Sequence, residues 1–210
     1  MKYLIILLAI ALTSPLSAQT GYENAMSRGL QMIEKADSPS KLNAASSFFE
    51  TIANSEKNQW LPYYYAAYAR LMSAFQDETT DKDKVASQAN AFIMKADSLN
   101  PNNSEIFCLK YLSATLALIV DPMTRYQTYG MEAKTALDKA KSLDSSNPRV
   151  LYLEASGTLN TPEQYGGGKA KAKPLFVKAL KLFKTFQPAS PLHPNWGKEK
   201  AQDGLQQCND

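Results

Sequence analysis

Three copies of one alanine-spaced pattern constrain this chain most: Ala89-x3-Ile93-x2-Ala96-x2-Leu99, Ala133-x3-Leu137-x2-Ala140-x2-Leu143 and Ala172-x3-Phe176-x2-Ala179-x2-Leu182. A fainter copy, Ser46-x3-Glu50-x2-Ala53, precedes them, and successive copies begin 43, 44 and 39 residues apart. Offsets of 0, 4, 7 and 10 residues lie on one side of a 3.6-residue spiral, so each copy reads as a helix carrying a small-residue stripe. Alanine on such a stripe lets helix axes approach closely. Self-similarity at this period is the mark of stacked units, each burying its apolar face only against its neighbours.

Between the copies, the remaining segments also have helical spacing. Tyr22, Met26, Leu30 and Ile33 share one face of a first helix running to Ala36, and Pro39 opens a second that includes Leu42 to Ala53. Helices are predicted from Trp60 to Phe75, Val85 to Leu99, Ser104 to Val120, Thr124 to Leu143, Arg149 to Leu159, then to Phe186, and finally from Asn195 to Gln207. The polar run from Gln76 to Lys84 and the glycine-rich run from Thr161 to Gly168 read as loops. No strand pattern competes, so the expectation is an all-α fold.

With these pieces in place the chain resembles the tetratricopeptide repeat family, whose units are a helix A, a turn and a helix B. Ala89/Ala96, Ala133/Ala140 and Ala172/Ala179 match the two small positions of helix B, and Asn100-Pro101-Asn102-Asn103 looks like the turn between repeats. Departures are equally visible. The spacing exceeds the family's usual length of about 34 residues, so the surplus is assigned to enlarged A–B loops, and Tyr111 stands where the family has a small residue. The resemblance implies an α-solenoid of stacked hairpins whose A helices line a concave groove that receives peptides.

The N-terminus reads as an export signal. Lys2 precedes the unbroken apolar run Leu4–Leu12, and Leu16-Ser17-Ala18 offers a small-residue cleavage site. The run is too short to span a bilayer, which takes about 20 residues. The expectation is therefore a signal peptide at 1–18 and a mature repeat domain at 19–210, periplasmic or secreted from a Gram-negative envelope, with no transmembrane segment in the mature chain. Such a compartment permits a disulfide. However, Cys108 and Cys208 are 100 residues apart, and distant repeats of a solenoid seldom meet.

Formal net charge is +3, unevenly spread. Residues 19–160 hold 14 Lys/Arg against 16 Asp/Glu, and residues 161–210 hold 8 against 4. That polarity is too mild for a nucleic-acid binder. Catalytic motifs fail in detail. Gly166-Gly167-Gly168-Lys169 lacks the earlier glycine and the following Ser or Thr of a phosphate loop. Asp81 and Asp83 lack the glycine and final glutamate of a calcium loop. The sole histidine, His193, makes neither a metal cluster nor a triad. No catalytic residue, metal ligand or cofactor is expected.

The remaining reading is an exported scaffold that binds a protein or peptide partner without catalysis. Tyr64, Tyr68, Leu71 and Phe75 form a core stripe, which leaves Tyr63, Tyr65 and Arg70 as candidates to face the groove. Lys169 and Lys171 open a helix with lysines and no acidic residue, a second candidate partner surface. Ala86, three residues ahead of the Ala89 position, is read as solvent-facing. The rival reading is a small-ligand-binding or transporter-associated subunit of the same fold.

Overall fold

The computed structural model describes residues 15–210; Lys2 and the Leu4–Leu12 run lie outside the described residues. The described chain is helical, in the order α1 (Pro15–Glu34), α2 (Pro39–Ser55), α3 (Trp60–Gln76), α4 (Lys82–Leu99), α5 (Ser104–Leu118), α6 (Pro122–Arg125), a π-turn (Tyr126–Gly130), α7 (Met131–Leu143), α8 (Pro148–Asn160), a 3-10 turn (Glu163–Tyr165), α9 (Lys169–Thr185) and α10 (Lys198–Gln207). No helix among the described residues is long and apolar enough to cross a membrane.

Helix starts follow the capping chemistry of the sequence. The side chains of Asp81, Asn103 and Asn147 accept hydrogen bonds from the backbone N–H groups of Lys84, Glu105 and Arg149, filling donors that a helix N-terminus leaves open. Pro39, Pro122 and Pro148 each stand in a first helical turn, where proline's missing N–H costs nothing. In the Asn100–Asn103 turn, Asn102 takes the left-handed conformation at φ 58.

Neighbouring helices pack in succession from α1 to α10, while α3, α5, α8 and α10 also touch one another as a row. The alanine stripes are the seams. Ala89, Ala96, Ala140, Ala172 and Ala179 are all completely buried, and Ser46 and Ala53 of the fainter copy are buried as well. Larger residues fill the space between: Phe49, Tyr64, Leu71, Ile93, Ile106, Leu109, Leu153 and Phe176 are essentially inaccessible. Each contributes about 1.5–3 kcal/mol by leaving water.

Four local expectations are corrected. The helix predicted over 124–143 is broken: α6 and the π-turn precede α7, which begins only at Met131. The polar loop is shorter than predicted, because Asp81 caps α4 and brings Lys82–Lys84 into the helix. Ala86 is buried, not solvent-facing, because its side of α4 packs on α5, where Ser113 Oγ donates to the Ala86 carbonyl at 3.4 Å. The last helix starts at Lys198 because Gly197, at φ 104, turns the chain just before it. α9 runs from Lys169 straight through Pro174, which has no N–H to give to the Ala170 carbonyl.

Tyr111 is where the small residue of the repeat family was missing. Its bulk fits because Gly157 stands opposite on α8: a Cβ there would meet the Tyr111 hydroxyl at 2.5 Å. The same hydroxyl donates to the Leu153 carbonyl at 3.2 Å, so a large residue on α5 is matched by an absent side chain on α8.

Candidate functional site

The aromatic residues of α3 are covered by the chain itself. The segment between α9 and α10, which carries Pro188, Pro191 and Pro194, crosses them as a strap that turns at Ser190–His193, where the His193 N–H donates to the Ser190 carbonyl at 3.0 Å. Tyr65 donates to the Leu192 carbonyl at 2.9 Å, and Trp196 Nε1 donates to the Tyr64 hydroxyl at 2.8 Å. Trp196 also stacks on Tyr68 with ring centroids 4.9 Å apart, and His193 meets the Trp60 ring edge-on at 5.7 Å. Burial raises the hydroxyl pKa of Tyr64, Tyr65 and Tyr68 well above the ordinary value, so all three remain neutral donors and acceptors.

Beneath the strap lies a buried ion pair. Arg149 is wholly inaccessible, and its Nε and Nη2 donate to Glu105 at 2.7 and 2.6 Å. The Arg149 guanidinium also lies 4.4 Å from the Phe186 ring centroid. Glu105 accepts a further bond from Asn147 Nδ2 at 2.7 Å and a long one from the Tyr64 hydroxyl at 3.4 Å. Asn147 in turn donates to Ser104 Oγ, which donates to the Ala140 carbonyl. Burial opposes the Arg149 charge and Glu105 favours it, and the net pKa is raised. This network ties α3, α5, α7, α8 and the strap together; Arg149 entered the sequence reading only as a helix start.

The predicted partner residues do not converge. Tyr63 and Arg70 both reach toward α2: Tyr63 donates to the Ala53 carbonyl at 3.0 Å, and Arg70 Nε donates to Ser46 Oγ at 3.3 Å. Arg70 also donates to Gln88 at 2.7 Å and lines an open polar cleft of about 500 Å³ between α2 and α4. Tyr65 is buried between Phe49, on which it stacks at 5.1 Å, and the strap. Lys169 and Lys171 are exposed, and Lys171 Nζ donates to the Gly166 carbonyl at 3.0 Å. Cys108 is buried and Cys208 half-buried, both as free thiols, and burial pushes the Cys108 thiol pKa far up.

A different surface stands out for apolar exposure. Ile119, Val120, Met123, Tyr126 and Met131 are all exposed within one short stretch around the π-turn, with Met123 at 76% and Tyr126 at 57%. Single exposed apolar residues are ordinary, but such a concentration in one short stretch of chain is a candidate place for something to bind. The backbone here is unusual too, since π-turns are rare and collect at functional sites. Gly130 permits the turn: a Cβ there would strike the Tyr126 ring at 2.7 Å.

Polar groups border this surface. Arg125 bridges to Asp83 of α4, Nη2 to Oδ2 at 2.9 Å, and donates to the Ala117 carbonyl at 3.0 Å. Ile119 and Val120 form one wall of a cleft of about 340 Å³ whose other side includes Asp81, Lys82 and Asp83. Periodicity ran a regular helix from Thr124 through Tyr126 and Met131 and left Met123 in the link before it, so none of the three was singled out.

The HusA haemophore from Porphyromonas gingivalis matches the chain with a TM-score of 0.80 at 33% sequence identity, over 89% of this chain and 92% of that one. No protein-family model matches the chain, and neither does any curated protein.

Proposed function

The chain belongs to the family of the HusA haemophore, and from that premise we propose that it is an exported, non-enzymatic binder of haem. The export reading rests on Lys2, Leu4–Leu12 and Ala18. The ligand is cargo, a flat apolar macrocycle with an iron centre and two carboxylates at one edge. The observation that carries the choice of surface is the exposed group Ile119, Val120, Met123, Tyr126 and Met131 around the π-turn.

Its chemistry suits such a ligand. Methionine and tyrosine are both haem-iron ligands in other proteins, and Met123 and Tyr126 are the most exposed of the group. Methionine side chains adapt to flat apolar partners. His193 is a poor ligand by comparison, with Nδ1 bonded to Ser190 Oγ at 2.7 Å and its ring against Trp60.

Titrating haemin into the chain 19–210 tests the assignment. A saturable shift of the Soret band is expected. Met123→Ala with Tyr126→Ala should weaken binding by at least tenfold, and His193→Ala should leave it unchanged. No saturable shift, or equal affinity in the double variant, would remove the assignment.

A second reading keeps the peptide groove implied by the tetratricopeptide resemblance. Its support is the strap itself, a segment of this chain whose Leu192 carbonyl and Trp196 ring already occupy the aromatic residues of α3. A partner using that face would have to displace Leu192 and Trp196.

A further inference from the structure

We propose that the outer face of α9 docks this protein on an anionic lipid surface. Lys169, Lys171, Lys173, Lys178, Lys181 and Lys184 are all exposed, and α9 contains no acidic residue. Some helical lysines elsewhere have acidic partners, as Lys41 with Asp37, Lys110 with Asp97, Lys134 with Asp138 and Lys141 with Glu154, while others such as Lys95 and Lys139 stand singly among acidic residues of their own helices; α9 differs in gathering six with no acidic residue among them. None of the six α9 lysines forms an ion pair among the described residues.

Helical geometry puts this charge on one side. Ala172, Phe176, Ala179 and Phe183 form the buried face, which packs against α8 and α10. Lys173, Val177, Lys181 and Lys184 follow one another at spacings of four, four and three along the opposite face, with Lys178 beside them. Val177 is 51% exposed in the middle of the row, an apolar contact for the headgroup layer. At 1.5 Å per residue, the helix presents this charge over about 25 Å.

The residue type selects the partner. Protein interfaces enrich arginine and aromatic residues and deplete lysine, because arginine's planar fork makes directed paired bonds while lysine is a flexible point charge. The helix holds six lysines and no arginine. Such a face suits phosphate groups spread over a lipid layer, and clusters of four to eight basic residues on an amphipathic helix are the usual form of that recognition. The lysines lie outside the residues assigned to haem.

Co-sedimentation of the chain 19–210 with phosphatidylcholine vesicles, with and without one-third phosphatidylglycerol, reads the effect at low and high salt. Binding is expected only to the anionic vesicles, and it should fall as salt shortens the screening length. Replacing Lys173, Lys178 and Lys181 by glutamine should lower the partition coefficient roughly 100-fold. The control variant Lys57→Gln, Lys95→Gln and Lys139→Gln removes the same charge from exposed positions on other elements and should cost far less. Unchanged Soret titrations in both variants would separate this face from the haem assignment. Failure of the parent to bind anionic vesicles, equal losses in the two variants, or binding to soluble polyglutamate but not to vesicles would overturn the proposal.

Discussion

Arg149 of α8 and Glu105 of α5 form a two-pronged ion pair inside the fold, with Arg149 at 0% and Glu105 at 14% side-chain exposure. Such a pair is a demanding thing to bury, because each charge loses its hydration and regains it only from its partner. Here Asn147 adds a bond to the carboxylate, while Arg149 Nη1 finds no partner among the described residues. The pair thus joins α5 to α8 through directed bonds.

Removing either partner should therefore destabilise unequally. Glu105→Ala leaves the wholly buried guanidinium unpaired and should cost about 3–5 kcal/mol in urea unfolding. Arg149→Met leaves a carboxylate that still reaches solvent and keeps Asn147, so its loss should be smaller. The reverse order would show that the charge on Arg149 is not the group paying for burial.

The alanine seams make a sharper test of the stacking. Ala96→Leu and Ala140→Leu each force a larger side chain between two close helices, which costs roughly 1–3 kcal/mol. Leucine is nearly as good a helix former as alanine, so helix propensity cannot explain such a loss. Ala91→Leu, at an exposed position of α4, is the control. Equal unfolding midpoints for all three variants and the parent would make the spacing a coincidence.

Gly157 and Tyr111 should be coupled. Gly157→Ala places a Cβ 2.5 Å from the Tyr111 hydroxyl, but the next Tyr111 atom is 3.7 Å away, an ordinary contact. Tyr111→Phe should therefore relieve most of the damage of Gly157→Ala, although alone it loses the bond to the Leu153 carbonyl, worth about 1 kcal/mol. A double-mutant cycle in urea reads the coupling. Simple additivity of the two losses would mean that the helices already yield at this contact.

Acid should loosen the strap through His193. Partial burial lowers its pKa below the ordinary 6.5, and the negative charge of Glu105 offsets this only in part. The folded state thus binds fewer protons than the unfolded chain. The histidine's contribution is complete above about pH 6.5 and declines as pH falls through the depressed folded value. The thermal midpoint should drop on acidification by more in the parent than in His193→Gln. Identical acid profiles would exclude the strap histidine as the titrating group.

Much of the fold was legible because helices announce themselves locally. The stripe from Ala89 to Leu99, the caps at Asn103 and Asn147 and the prolines at 39 and 148 lie within a few residues of the structure they specify. The seven-residue spacing of small residues also carried some tertiary information, since a helix stripe that small has to face another helix.

The candidate site was less legible. Periodicity alone could not separate Tyr65, taken by the strap, from a residue facing an open groove, because the strap comes 127 positions later in sequence. The Trp196–Tyr64 bond spans 132 positions and the Arg149–Glu105 pair 44, and no local pattern encodes either. The π-turn was hidden for another reason: weak helix formers such as Thr128 and Gly130 are tolerated inside helices, so they did not mark the point where the regular helix gives way. Sequence by itself determined that these segments coil and that their alanine stripes face other helices. Tertiary structure decided what covers those faces and which apolar residues stay in water, because chain connectivity and packing set both over distances that a helical period does not reach.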